Sequence, residues 1–175
     1  VQVSGLSDVT AIAAGATHSV ARKTDSTVWT WGDNSGGKHG DGTTNTRTTP
    51  VQVPGLTGVT AIASQADHTL ARKTDGTVWA WGENSDGQLG DGTFIDRSSP
   101  VQAASVAGAT KVTAGVSHSL ALLNDSSVRA WGSNLRGQLG DGTSATHTAP
   151  VKVSGAVVFT TLASRSDHTV AIAQN

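Results

Sequence analysis

Four histidines recur at one spacing, His18, His68, His118 and His168, each followed by Ser or Thr. Imidazole is the commonest metal ligand and a ready general base, so the series first suggests a metal site or a proton relay. Geometry speaks against both. Zinc needs its ligands to converge at about 2 Å on one ion. Equivalent positions on neighbouring packed sheets lie about 10 Å apart. A histidine and the hydroxyl residue beside it on a strand point to opposite faces, so they form no nucleophilic pair. Each ring is therefore expected to be structural, bonded to a nearby turn.

The carboxylates repeat too. Asp41, Asp91 and Asp141 sit in identical G-D-G-T boxes, and Asp25, Asp75 and Asp125 in T-D-[GS] or N-D-S turns. A calcium loop wants several oxygen ligands at alternating positions, and only Asp96 after Asp91 offers a partial case. Asx-type turns are the expected use. Nothing else resembles a phosphate cradle, a paired acid site or a nucleophile with its base. No enzyme activity, cofactor or metal is expected.

These residues are positioned by a repeat of fifty residues: 1–50, 51–100, 101–150, and a half repeat 151–175, together one domain. The first two windows agree at roughly three positions in five, the mark of a repeat array. Each window predicts four short strands. V-T-A-I-A-A (Val9–Ala14) alternates apolar with small or polar residues, as a half-buried strand does. H-S-V-A-R-K (His18–Lys23) follows after a short turn, and T-D-G-T marks a tight hairpin into the third strand at 27–32. A long Gly, Asn, Asp and Thr segment spans 33–49. Pro50 then opens an outer strand, suited to an edge where its missing N–H costs nothing. Four antiparallel strands per period make a propeller blade. The predicted fold is all-β: a partial β-propeller of about three and a half four-stranded blades. The first-to-second turn and the long loop should share one face.

Composition narrows the partners. A formal charge of −1 on 175 residues offers no basic footprint for nucleic acid. No apolar run approaches the roughly 18 residues that span a bilayer, so no membrane role is expected. With no cysteine, disulfides are excluded and the redox compartment stays open. The opening V-Q-V without an initiator Met suits a processed protein and an excised piece equally.

Three motifs in register, V-x-x-I-A-x-G-x-x-H-[ST]-[VL]-A, D-G-x-V-W-x-W-G-x-N and G-Q-L-G-D-G-T, resemble the regulator of chromosome condensation repeat in its short bacterial form. The resemblance covers the whole chain. It implies a β-propeller, usually of seven blades, with the first strand of each blade innermost. It implies function less tightly, since such propellers include an exchange factor, ultraviolet-light receptors, ubiquitin-ligase domains and a secreted β-lactamase inhibitor. The exchange factor resembles a wedge-and-basic-tail device, for which three strict periods leave no room. The light receptors need a tight Trp cluster. Here Trp29, Trp31, Trp79, Trp81 and Trp131 occupy two repeat positions, with Arg129 in the place of the next. Packing between blades is their expected role.

The periods differ mainly in one set of loops. The turn before each histidine reads G-A-T, Q-A-D, G-V-S and R-S-D, and the long loops diverge while T-D-G-T hardly changes. Fixed strands with one variable loop face make a binding surface. Phe94 and Ile95, the one large apolar pair in these loops, are the expected anchors. Lys38, Arg47, Asp67, Arg97, Arg136 and Arg165 would form the polar surround. The expected function is a non-catalytic scaffold for a protein partner of unknown identity. The alternatives are inhibition of a secreted enzyme and glycan binding, and a secreted or cell-surface setting is favoured. Three and a half periods cannot close a seven-blade ring. The chain is expected to be part of a longer propeller or a half-ring that self-associates, a homodimer completing the ring.

Overall fold

The structure, a computed structural model, describes residues 2–155 and 158–174. Blade 1 consists of β1 (Val9–Ala14), β2 (His18–Lys23), β3 (Val28–Gly32) and β4 (Arg47–Gln52). Blade 2 consists of β5 (Val59–Ser64), β6 (His68–Lys73), β7 (Val78–Gly82) and β8 (Arg97–Gln102). Blade 3 consists of β9 (Ala109–Ala114), β10 (His118–Leu123), β11 (Val128–Gly132) and β12 (His147–Lys152). A two-stranded sheet, β13 (Val158–Arg165) with β14 (His168–Gln174), follows. Every sheet is an antiparallel meander in chain order. The first strands β1, β5, β9 and β13 are neighbours in turn, so they line the axis. The chain is a partial β-propeller.

The outer strand begins earlier than Pro50. Arg47, opposite Gly32, already pairs with β3, and the register slips before Val51 meets Thr30. Pro50 therefore sits in an irregular stretch inside an edge strand, where a missing donor is equally harmless. The long loop is not wholly irregular either, since Ser35–Gly37 forms a 3₁₀ turn.

The hairpins follow from their residues. Asp75 Oδ1 accepts the Thr77 amide at 2.9 Å and the Thr77 hydroxyl at 2.6 Å. Asp25 with Thr27, and Asp125 with Ser127, repeat the pattern. The residue between them is left-handed, with φ of 65° at Ser26, 75° at Gly76 and 64° at Ser126. Glycine takes that conformation without strain.

Almost no core lies within a blade; it lies between blades. Val20, Val28, Val53, Leu56, Val59, Ala71 and Trp81 form one cluster from blades 1 and 2. Leu70, Val78, Leu89, Val106, Val112 and Trp131 belong to a second from blades 2 and 3. Leu120, Val128, Leu139 and Leu162 join blade 3 to β13 in a third. Each buried apolar side chain contributes about 1.5–3 kcal/mol, and nearly all of that depends on having a neighbour. The outward faces stay apolar: Ile12 is 79% exposed and Val170 64%.

An indole locks each whole junction. Trp81 Nε1 donates to the Lys38 carbonyl at 2.9 Å, and Trp131 Nε1 to the Gln88 carbonyl at 2.8 Å. Gly40 and Gly90 give the ring its place, since a Cβ would stand 2.9 and 2.7 Å from indole atoms. At Gly140, in the same register, the nearest atom to such a Cβ is Val153 Cγ1 at 3.4 Å. All three glycines have positive φ, so alanine strains the backbone equally at each. Gly90→Ala should therefore cost about 1–3 kcal/mol more than Gly140→Ala, the overpacking against the indole. Urea denaturation of both variants measures the difference, and equal costs would remove the indole contact from the account.

Candidate functional site

The long loop after each third strand is shaped by a buried asparagine. Asn84 Oδ1 accepts the Leu89 amide at 2.9 Å. Its Nδ2 donates to the carbonyls of Thr93 and Ile95 at 3.0 and 3.1 Å. Asn34 and Asn134 likewise accept the His39 and Leu139 amides and donate to the Thr43 and Thr143 carbonyls. The G-D-G-T box adds an Asx turn, with Asp91 Oδ1 accepting the Thr93 amide at 3.0 Å and its hydroxyl at 2.7 Å. Asp91 Oδ2 then takes Arg97 at 2.7 Å, as Asp41 takes Arg47 at 3.1 Å and Asp141 takes His147 at 2.8 Å. Burial pushes the Asp91 carboxyl up, but the bonds from Thr93 and Arg97 outweigh it and hold it below the ordinary carboxylate value.

The turn before each histidine and the long loop meet on one face. Thr17 O accepts the Asp33 amide at 3.0 Å, and the equivalent bonds recur at Glu83 and Ser133. On this face Lys38 is a bolt between blades. Its Nζ stands 2.7 Å from Asp33 and 2.7 Å from Asp67 of blade 2, and donates to Thr17 Oγ1 at 3.0 Å. Burial disfavours the ammonium, but the bonds to Asp33 and Asp67 raise its pKa above the ordinary lysine value. Blade 3 reaches the two-stranded sheet through a different position, Arg136 to Asp167 at 2.9 Å. Where the turn offers Ser117 instead of an aspartate, the stretch 83–89 of the preceding loop carries Asp86 and Gln88 and no cation.

The histidines are structural, though not as expected. The rings of His18, His68 and His118 bond the next blade, not a turn of their own, while His168 is exposed on β14. His18 Nε2 lies 3.1 Å from Thr69 Oγ1, His68 Nε2 2.9 Å from Ser119 Oγ, and His118 Nε2 3.0 Å from Thr169 Oγ1. Burial lowers the pKa of His18 to about 4, of His68 to about 3 and of His118 to about 4. Among the described residues no group of three or more His, Cys, Asp or Glu could hold a metal ion.

The expected surround thus separates into pairs. Lys38 meets Asp67, while Arg47, Arg97 and Arg136 are tied to Asp41, Asp91 and Asp167. Arg165 is exposed at the end of β13, opposite His168. Phe94 and Ile95 are 58% and 61% exposed, on the loop that Asn84 and Asp91 hold. Leu135, on the corresponding loop of blade 3, is 76% exposed and carries no sequence flag because it stands alone. Asn34, Asn84 and Asn134 carried none either. Their presence at one register in W-G-x-N was the available signal.

A repeat array of four-stranded sheets stacked about an axis defines the β-propellers. The regulator of chromosome condensation (RCC1) repeat model matches residues 25–72, 75–122 and 125–172, and a second model of that repeat matches 9–38, 59–88 and 109–138. The chain belongs to the RCC1 repeat family. No curated protein matches it by sequence. Among solved structures it is similar to Saccharomyces cerevisiae Prp20p, described with its binding properties to Gsp1p and histones. That match has a TM-score of 0.83 and 21% identity, and covers 97% of this chain and 44% of Prp20p. Human WBSCR16 (TM-score 0.56, 21% identity, 95% of this chain and 58% of that one) is another. The ectodomain of the Physcomitrella patens receptor kinase CR4 (0.61, 16%, 95% and 38%) is a third. The chain therefore spans roughly half the length of such propellers.

Two predictions follow from the junction chemistry. Unfolded imidazoles titrate near their ordinary 6.5. With folded values near 4 and 3, the unfolded state takes up protons first as pH falls below 6.5, so stability is lost from there downward. With all three contributing, the loss approaches about 4 kcal/mol per pH unit between roughly pH 6 and 4. Urea titrations at pH 7 and pH 5 test this, and an unchanged midpoint would refute it. Separately, Lys38→Ala should cost about 1–2 kcal/mol, because Asp33 and Asp67 lose a mostly buried partner. Arg136→Ala, at an exposed pair, should cost under about 1 kcal/mol. Thermal unfolding ranks the two.

Proposed function

We propose that the chain is a non-catalytic propeller scaffold that binds a protein partner through the face carrying the long loops. Phe94 and Ile95 are the anchors, with Leu135 as a further apolar point. Arg47, Asp67, Arg97, Arg136 and Arg165 form the polar surround; Lys38, expected among them, is buried between Asp33 and Asp67 and stands beneath that surface. One observation carries the reading: two large apolar side chains stand in solvent on a loop fixed by a fully buried asparagine, so exposing them is not a by-product of looseness. Rigid presentation lowers the ordering cost of association. Prp20p, the similar propeller described with its binding to Gsp1p and histones, supports the class of partner and not its identity.

The electrostatic surface fits this class better than nucleic acid. Most cations of this face are already paired with carboxylates, leaving little free positive charge. The test is quantitative capture from extract with wild type against the double variant Phe94→Ala, Ile95→Ala. Side chains this exposed support little of the fold, so thermal midpoints should agree. Capture of a specific partner should fall about tenfold or more, as for paired hot-spot residues. Equal capture by both would reject these anchors.

A further inference from the structure

The fifty-residue repeat is its own control, because a position that departs from its copies stands out against them. Two departures meet at the junction of blades 1 and 2. One is the exposed pair Phe94 and Ile95, where blade 1 carries Thr44 and Asn45 and blade 3 Ser144 and Ala145. The other is charge. Asp96 follows that pair directly, and with Ser35, Gly36, Lys38, Asp67 and Glu83 it walls a cavity of about 180 Å³. At the junction of blades 2 and 3 the same positions read Ser85, Asp86, Gln88, Ser117, Ser133 and Thr146, with one carboxylate in place of three.

The chain does not neutralise these carboxylates itself. Lys38 has three N–H groups, and all are spent on Asp33, Asp67 and Thr17. Glu83 accepts the Ser85 hydroxyl at 3.1 Å, and Asp96 Oδ1 accepts the Asn84 amide at 2.8 Å. Among the described residues neither has a cation within ion-pair distance. Asp96 Oδ2 is left beside Gly36, where the missing side chain keeps the wall open: a Cβ there would stand 3.5 Å from it.

We propose that this notch receives an arginine of the bound protein, while Phe94 and Ile95 hold an apolar side chain beside it. The proposal rests on the loop-face reading and names the chemistry of its partner. A metal ion needs ligands that converge, and among the described residues no group of three His, Cys, Asp or Glu does so. Ammonium is a point charge, and Lys38 already occupies the point where Asp33 and Asp67 meet. Guanidinium spreads five N–H donors over a plane, which suits carboxylates set around an opening. The volume is below the roughly 300 Å³ at which small-molecule pockets begin, so it admits one side-chain head. The unneutralised charge also favours encounter with a basic partner.

The test is a selection of short random peptides on the 175-residue chain. Enriched sequences should place arginine next to an apolar residue. A selected peptide, dye-labelled and read by fluorescence anisotropy, should bind saturably. The double variant Glu83→Gln, Asp96→Asn should weaken it about tenfold or more, the loss of a charge pair made on binding. Citrulline in place of the peptide's arginine removes its charge and should weaken binding to the same degree. Asp96→Asn keeps the acceptor for the Asn84 amide, so the thermal midpoint of the variant should not move. Failure to select any peptide, equal binding by the neutralised variant, or lysine serving as well as arginine would overturn the proposal. Peptides indifferent to that variant yet lost with Phe94→Ala, Ile95→Ala would leave the loop face standing without its arginine notch. Peptides indifferent to both variants would reject the loop face as well.

Discussion

The constraint on which the molecule rests is that a four-stranded sheet of about twenty residues has two faces and no interior. Its apolar side chains leave water only when another sheet lies about 10 Å away. The three clusters at the junctions are the consequence, and so is the placement of the two fully buried tryptophans, Trp81 and Trp131. Dispersion and burial alone would let sheets slide over one another. Directional bonds set the register: indole N–H to loop carbonyl, imidazole to hydroxyl, and Lys38 between Asp33 and Asp67. Such bonds add little net stability each, but a buried donor without its acceptor is costly, so a displaced blade pays for every one it breaks.

The same loop therefore holds the array together and faces the solvent. Its inner side supplies the carbonyl for the next indole and the glycine that admits it. Its outer side carries Phe94 and Ile95, or Thr44 and Asn45, or Ser144 and Ala145, while the inner glycine stays in place as Gly40, Gly90 or Gly140. The buried asparagine separates the two roles. By binding amide and carbonyl groups within the loop, Asn84 fixes its path regardless of what the outward side chains are. Surface variation is then free of structural cost, which is how a repeat scaffold can differ from copy to copy.

Much of this was legible from residue order. The fifty-residue period, the strands from β1 to β3 and their equivalents, and the Asx turns all depend on local chemistry, which a sequence displays directly. What escaped was chemistry between repeats. The histidine rings reach the next blade's hydroxyl fifty-one residues on, a partner no local pattern indicates. Lys38, Arg47 and Arg97 look free in a sequence and are paired in space. Pro50 marks the outer strand correctly but not its start, because Arg47 is drawn into pairing by the box it bonds, Asp41. One signal lay across the repeats: between the third strand and the G-D-G-T box a cation, Lys38 or Arg136, occurs where the next turn carries Asp67 or Asp167, and none where it carries Ser117.

Because each sheet contacts only its neighbours, stability in such an array is a sum of junction terms. The junctions are not equal. Those closing on blades 2 and 3 each have an indole, an imidazole and a closed apolar cluster; Trp81, Trp131 and His68 are completely buried there and His18 nearly so. The junction closing on β13 and β14 has the imidazole but an open cavity in place of the indole, and β14 exposes Val170 and Ile172. Its exposed Arg136–Asp167 pair is the weaker kind of ion pair, whereas Lys38 sits between two carboxylates out of solvent. Among the described residues, the junction of blade 3 with β13 and β14 therefore rests on the imidazole bond and on the cluster of Leu120, Val128, Leu139 and Leu162, with no indole to set its register.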